Sequence, residues 1–332
     1  MPPIALTLGP ILFHWPADDW AAFYRRVAEE PYIDRVCLGD IVCSKRWPFV
    51  HHLIPETAAL LRRAGKQVVV SAPILPTLPR ERALLDELLR LPDVLIEAND
   101  VSTLARLSGR PHAIGPFINT YNEGTLAHFV RHGARLVCLP PELPIPSIRA
   151  LAAVPGAAVE VWAFGRIPIA ISARCYHARL HHRSKDSCLY ACGEDRDGRP
   201  VEDLDGRPFM AINGVQTLSH AYASAIGDIE DLAAAGVRSL RLSPHTAEMP
   251  AVARLFRGVI DGTISAQEAH RRLAALIPAA AFCNGFLHGR PGHERVGPHP
   301  LMSGPRPSPA DGGPTAGSRC DADRSASASS QA

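Results

Sequence analysis

Short continuous runs of apolar residues recur along the chain, at 4–8, 35–38, 67–71, 94–97, 113–117, 136–139, 160–164 and 239–242. Consecutive rather than alternate positions are apolar, as in strands buried on both faces. Many runs stop at Gly, Pro, Asn or Asp, residues that end extended structure. Between them the pattern changes to that of amphipathic helices, at 20–29, 50–63, 80–91, 102–108, 123–132 and 228–235. Asp18 or Asp19 is placed to cap the first of these, Pro79 opens the third, and Gly133 stops the fifth.

Eight strand-and-helix units in sequence predict an α/β protein, a (β/α)8 TIM-like barrel of parallel strands. The competing architecture is an open doubly wound sheet. No GxGxxG turn follows the first run, which removes the main sequence support for a dinucleotide-binding version of it. The rhythm breaks once. Far more chain separates position 164 from 239 than one crossover helix uses, and within it the stretch 173–208 is rich in Arg, His, Asp, Gly and Cys. Long irregular insertions of this kind inside a compact domain are usually functional. The expected organisation is a barrel domain over 1–288, with this Cys-rich insertion between the last two strands, and a tail over 289–332. The tail is rich in Gly, Pro and Ser and poor in large apolar residues, so it is expected to be disordered.

Composition narrows the function. Of 332 residues 46% are hydrophobic and 20% charged, enough for a sizeable core. The formal net charge of +2 gives no electrostatic case for a general nucleic-acid or membrane-surface binder. The N-terminal stretch has no basic segment ahead of its apolar residues, and no uncharged apolar run is long enough to cross a bilayer. A cytoplasmic protein is expected.

Eight cysteines need a reason in such a compartment, where structural disulfides are not expected. Cys37 and Cys138 fall inside predicted strands and Cys283 in an apolar AFCNGF segment, which suits core packing. Cys320 lies in the tail. Cys175, Cys188 and Cys192 stand in the polar insertion with the spacing C-x12-C-x3-C, where thiols do not serve packing. Cys43, in GDIVCSKR, follows the second predicted strand. In a barrel both segments emerge at the C-terminal face of the strands, where active sites lie. Four thiolates suit tetrahedral zinc or an iron–sulfur cluster. One distant ligand and an x3 pair fit a cluster better than the paired C-x2-C of structural zinc; the remaining reading is four unrelated reduced thiols.

Around these residues LGPILFHWP, LGDIVCSKR, IEAND, NTYNEGTL, ISARCYHAR, KDSCLYACG, INGVQTLS, LRLSPH and FCNGF occur in order. Together they resemble peptidase family U32, the collagenase-like proteins, and within it the members that serve ubiquinone biosynthesis. The resemblance implies that Cys43, Cys175, Cys188 and Cys192 hold a [4Fe-4S] cluster. It further implies ring hydroxylation without O2, as a heterodimer with a UbiU-like paralogue and assisted by a UbiT-like lipid-binding protein. Ubiquinone precursors would be the substrates and prephenate the oxygen donor.

Three other readings compete. A U32-type hydrolase needs a thiol with a histidine base, and His177, His181 and His182 lie near Cys175; neither HExxH nor GxSxG is present. Hydroxylation of RNA bases, known in the family, would call for a basic groove. A non-catalytic electron-transfer or structural subunit would leave substrate contacts to the partner. Lys45, Arg46 and Arg174 beside the cysteines either offset thiolate charge or are solvated surface. Glu97, Asn119, Tyr121, Asn122, Asn213, Gln216 and Arg241 are polar residues at predicted strand ends, where substrate contacts would come from.

Overall fold

The computed structural model describes residues 3–297. Eight parallel strands form a closed ring: β1 (Ala5–Leu8), β2 (Arg35–Leu38), β3 (Gln67–Ser71), β4 (Leu95–Ala98), β5 (His112–Ile114), β6 (Ala134–Cys138), β7 (Ala158–Ile171) and, after a long excursion, Ser239–Leu242. The last of these pairs in parallel with β7 on one side and β1 on the other, which closes the barrel. The TIM-like barrel expected from the apolar rhythm is the observed fold. Three of the predicted strands, 35–38, 67–71 and 239–242, have the observed bounds.

Helices cover the outside. The first runs Ala17–Glu29, and Pro16 rather than an aspartate stands at its N-cap; Asp18 and Asp19 lie in the first turn, where their charge meets the positive helix end. The stretch 50–63 is not one helix. Trp47–Val50 and a 3-10 turn, His51–Leu53, precede Ile54–Arg63, with Pro55 in the first turn of the last piece. Asp100 Oδ1 accepts from Ser102 N at 2.8 Å and starts Val101–Leu107. Helices beyond those expected include Ile145–Ala152 before β7, and Met249–Ile260 and Ala266–Leu276 after the eighth barrel strand.

The barrel lumen holds charge. Arg241 Nε is 2.6 Å from Glu160 Oε1, and its Nη2 meets Glu97. Glu160 also accepts from Ser239 Oγ at 2.7 Å and from Arg35 Nη1 at 3.3 Å, while Glu97 accepts from Ser71 Oγ at 2.9 Å. Glu97 and Glu160 are fully buried and Arg241 is 1% exposed. Buried ions of this kind persist only when paired and hydrogen-bonded, and here two carboxylates meet two guanidinium groups. Cys37 and Cys138 are buried beside them, their thiols pushed up by burial.

The Cys-rich excursion leaves from β7. That strand continues well past its barrel portion, and the change of course falls at Gly165, with φ +110°. A Cβ there would stand 2.7 Å from Ser243 Cβ and 2.9 Å from His245 Nε2, so only glycine fits. Beyond it β7 pairs antiparallel with β10 (Gln216–Ser224), which pairs with β9 (Pro208–Asn213), which pairs with β8 (Arg199–Glu202). The insertion is therefore partly a sheet, framed by a short helix, Tyr176–Leu180. The eighth barrel strand, Ser239–Leu242, is β11 in chain order, and β12 (Phe282–Cys283) pairs with β10.

Residues 289–297, which composition assigns to the tail, are held to the barrel domain. Asn284 N and Gly285 N donate to Glu294 O, Val296 N donates to Asn284 Oδ1 at 2.7 Å, and Arg295 Nη1 donates to Ser224 O. The rest of the tail, with Cys320, lies outside the described residues.

Two outcomes follow. Burial alone would raise the Glu160 carboxyl, but Arg241 and Arg35 outweigh it and hold the group below its ordinary range. Its contribution is therefore complete above the unfolded carboxylate pKa, about 4.3, and is lost as pH falls through the lower folded value. Glu160→Gln should cost about 3–5 kcal/mol in denaturant unfolding at neutral pH and reduce the loss of stability on acidification. Truncation after His288 should lower the melting temperature relative to truncation after Gly297, read by thermal unfolding of the two shortened chains.

Candidate functional site

The segment after β2 turns back over the barrel mouth because of one buried ion pair. Gly39, at φ +135°, carries the chain past the Ser71 carbonyl, where a Cβ would come within 2.6 Å. Asp40 follows. Its Oδ1 accepts from Val42 N and Cys43 N, and its carboxylate takes Arg46 in two places, Nε at 2.7 Å from Oδ2 and Nη2 at 2.8 Å from Oδ1. Arg46 is 1% exposed. Its Nη2 also donates to Leu12 O at 2.9 Å and its Nη1 to Asn213 Oδ1 at 3.2 Å. Asn213 Nδ2 in turn donates to Leu12 O and to Gln216 Oε1. One guanidinium thus joins the β1 loop, the CSKR turn and the β9–β10 hairpin.

Two of the cysteines, Cys43 and Cys192, lie near this pair. Cys43 is half-buried, three residues from Arg46. Cys192 is buried, and burial pushes its thiol up to about 11; the Arg46 guanidinium pulls the other way, and Cys43, Asp40 and Cys175 are near enough to act on it too. Burial also raises the Cys43 thiol, again with Arg46 opposing. Cys175 is buried at the N-cap of Tyr176–Leu180, its Sγ accepting from Ala178 N at 3.4 Å. Cys188 is half-buried against the core, its carbonyl accepting from Ala191 N. Between Cys188 and Cys192 both Leu189 and Tyr190 have positive φ, 48° and 54°, an arrangement side chains resist. Tyr190 is braced edge-on by Phe49 at 4.8 Å. Lys45 Nζ donates to Lys185 O and Asp186 O, tying the Cys43 turn to the segment between Cys175 and Cys188. All seven cysteines in 3–297 are free thiols. Among the described residues no three His, Cys, Asp or Glu side chains are grouped as ligands of a single metal ion would be.

Two recesses flank the site. One, of about 420 Å³, lies between the Cys43 turn, Tyr190 and the first turn of Pro79–Leu88, with Trp47, His51 and Glu81 on its walls. The other, of about 470 Å³, borders Cys175 and is lined by Arg174, Arg179, Arg183 and Lys185.

The polar residues expected at strand ends separate into groups. Asn213 and Gln216 belong to the Arg46 network, and Glu97 and Arg241 to the lumen below. Asn122 caps Glu123–Arg131 by accepting from Thr125 N at 2.8 Å. Tyr121, whose hydroxyl meets Glu142, and Asn119 are exposed. Of the histidines, His177 is buried and occupied at both nitrogens: Nδ1 accepts from Gly214 N at 2.9 Å and Nε2 lies 3.0 Å from Asp195 Oδ2. It fastens the short helix to the β9–β10 turn and is not a free base for Cys175. His181 faces Glu194 at 3.9 Å, and His182 is exposed.

Sequence reasoning left Arg46 between surface and site; burial makes it the site's centre. It missed Asp40, whose signal is the Gly-Asp step directly after a strand. It also missed the His245 anchor. His245, just beyond β11, is buried, accepts from Arg166 N at 3.1 Å and lies 3.3 Å from Asp197 Oδ1. Burial keeps its imidazole neutral by lowering its pKa.

Arg46→Leu leaves the buried Asp40 carboxylate without its cation. A loss of about 3–5 kcal/mol is expected in denaturant unfolding, larger than for Asp40→Asn with Arg46→Leu combined.

The sequence profile of peptidase family U32 matches residues 24–297. Among solved structures, the chain is similar to the U32 peptidase Mk0906, at 12% identity and TM-score 0.41, covering 74% of this chain and 94% of that one. It is also similar to dihydropteroate synthase from Thermus thermophilus, at 13% identity and TM-score 0.41, covering 79% and 95%. With most of its described length matched by the family profile, the chain belongs to peptidase family U32.

Proposed function

We propose that this chain is a UbiV-like iron–sulfur subunit of an O2-independent hydroxylation system in ubiquinone biosynthesis, working with a UbiU-like paralogue. The observation that supports the reading is that Cys43 and Cys192 lie within electrostatic reach of the buried Arg46, and Cys175 within reach of Cys192, with Cys188 four residues from Cys192 in sequence. The donor set suits a cluster. Four sulfurs on one zinc stand about 2.3 Å from a common centre, whereas each thiolate of a four-iron cluster binds its own iron and the set is wider. Arg46, held by Asp40, lies where it offsets the negative charge of thiolate ligands and lowers the cost of their deprotonation. The paired left-handed residues Leu189 and Tyr190 are a local cost of the sort that functional loops carry.

When bound, such a cluster supplies one-electron redox chemistry. The chain's residues supply the rest. Cys43, Cys175, Cys188 and Cys192 would hold it. Arg46 sets the local field, and Asn213 and Gln216 fix Arg46. Lys45 holds the two cysteine-bearing segments together. Substrate, prephenate, the paralogue and a UbiT-like protein enter this reading by resemblance alone.

Family membership fits a U32-type hydrolase as well. The occupied nitrogens of His177 argue against that reading, because a cysteine nucleophile needs an imidazole free to take its proton.

After anaerobic purification, about four iron and four sulfide per chain are expected, with a visible absorption bleached by air. Cys188→Ala should lose most of the iron, while Cys283→Ala, buried in the core, should keep it. Full iron in Cys188→Ala, or thiol-dependent peptide cleavage by a metal-free chain, would overturn the proposal.

A further inference from the structure

Two residues apart in the loop that follows Cys192, Asp195 and Asp197 each meet a buried histidine from a different element. His177, on the short helix Tyr176–Leu180, faces Asp195, and His245, in the loop after β11, faces Asp197. Both rings are used alike. One nitrogen accepts from a backbone N–H, of Gly214 or of Arg166, and the other faces the carboxylate. The His177 pairing lies within the excursion, whereas the His245 pairing joins the excursion to the barrel.

His245 rests against the bend at which β7 leaves the barrel, where Gly165 leaves room for its Nε2. That nitrogen accepts from Arg166 N at 3.1 Å, which puts the ring proton on Nδ1, 3.3 Å from Asp197 Oδ1. Asp197 Oδ1 also accepts from Thr246 N at 2.9 Å, and the Asp197 carbonyl accepts from Arg166 Nε at 3.1 Å. The charged and titratable groups facing the ring are Asp197 from the loop, Arg166 from β7 and Tyr222 from β10, whose ring centroid is 4.6 Å away. The loop after β1 and the barrel portion of β7 present only Phe13 and Phe164.

A second proton can go only to Nε2. There it would oppose the Arg166 N–H, donor against donor, and set a cation beside the Arg166 guanidinium. Asp197 favours the cation, but burial, helped by Arg166, outweighs it and lowers the imidazole pKa. An imidazole freed to water takes its proton near pH 6.5. The closed contact is therefore fully favoured above that pH and is weakened as pH falls below it, because only the open state readily binds the proton.

We infer that His245 and Asp197 form a proton-sensitive latch: the neutral imidazole fastens the loop behind Cys192 and the bend of β7 to the barrel, and its protonation releases them. Acidification thus loosens the cysteine-bearing excursion while the barrel stays folded. The latch does not rest on the cluster reading, because no cysteine takes part in it.

The test is amide hydrogen exchange of the full-length, anaerobically purified chain, corrected for the intrinsic effect of pH and read at Arg166 and Thr246. Between pH 7.5 and 5.5 protection at both is expected to fall about tenfold, as for a site whose open form titrates near 6.5. Val69, buried in β3, should keep its protection over the same range. His245→Gln retains an uncharged acceptor and donor, and should abolish most of the pH dependence at Arg166 and Thr246. Exchange of the ring Cε1 hydrogen titrates His245 without any substitution, with an expected midpoint below 6.5. Constant protection at Arg166 and Thr246, an equal fall at Val69, the same fall in His245→Gln, or a ring midpoint at or above 6.5 would each overturn the latch. Iron measured on the same samples separates the two proposals: a latch without iron sinks only the cluster, and iron without a latch sinks only this inference.

Discussion

The Arg46 guanidinium is the joint on which the upper half of the molecule depends. It is buried, so its charge has to be met within the protein, and its partners come from three separate stretches of chain. Asp40 supplies the opposite charge, Leu12 a carbonyl and Asn213 an amide oxygen. Because these groups sit on different loops, satisfying one arginine fixes the relative position of all three. Cys43 and Cys192 are carried on or beside those loops. The position of the thiols is therefore a consequence of neutralising a buried cation.

A second buried network works the same way one layer down. Arg241, Glu160, Glu97 and Arg35 fill the lumen where many barrels place branched apolar side chains. Balanced charge makes that lumen tolerable, and hydroxyls of Ser71 and Ser239 take the remaining lone pairs. Polar fillings of this sort specify register more sharply than apolar ones, since a slip by one residue would leave an ion unpaired. The two layers differ in outlook: the lumen is closed, whereas the layer around Arg46 adjoins two open recesses.

The excursion between β7 and β11 shows how a barrel acquires a site. Gly165 lets a barrel strand change direction without ending, so β7 pairs in parallel with β11 in the barrel and antiparallel with β10 beyond it. The short helix and the three-cysteine segment hang from this extension, and His177 and Lys45 fasten them. A rigid scaffold with a loosely regular insertion is the usual division of labour between fold and function.

The sequence by itself determined parallel strands covered on both faces, which a barrel or a doubly wound sheet satisfies; the pairing of β11 with β1 and β7 decided the closure. Continuous apolar runs at 35–38, 67–71 and 239–242 can be satisfied only by strands covered on both faces, and that periodicity needs no tertiary information. It also marked the insertion and singled out its cysteines, because thiols in a polar stretch are not expected to serve packing, although Cys175 and Cys192 are in fact buried and Cys188 packs against the core. Sequence did not decide which charges are buried. Arg46 reads as either site or solvated surface until Leu12 and Asn213 are brought to it from elsewhere in the chain. Asn213, Gln216, Glu97 and Arg241 look alike as strand-end polar residues, yet two join the site and two the lumen. Residues 289–297 have the composition of a tail and are nonetheless tied down, by backbone hydrogen bonds that composition does not encode. Burial and pairing are properties of neighbours in space, and only the tertiary structure assigns those neighbours.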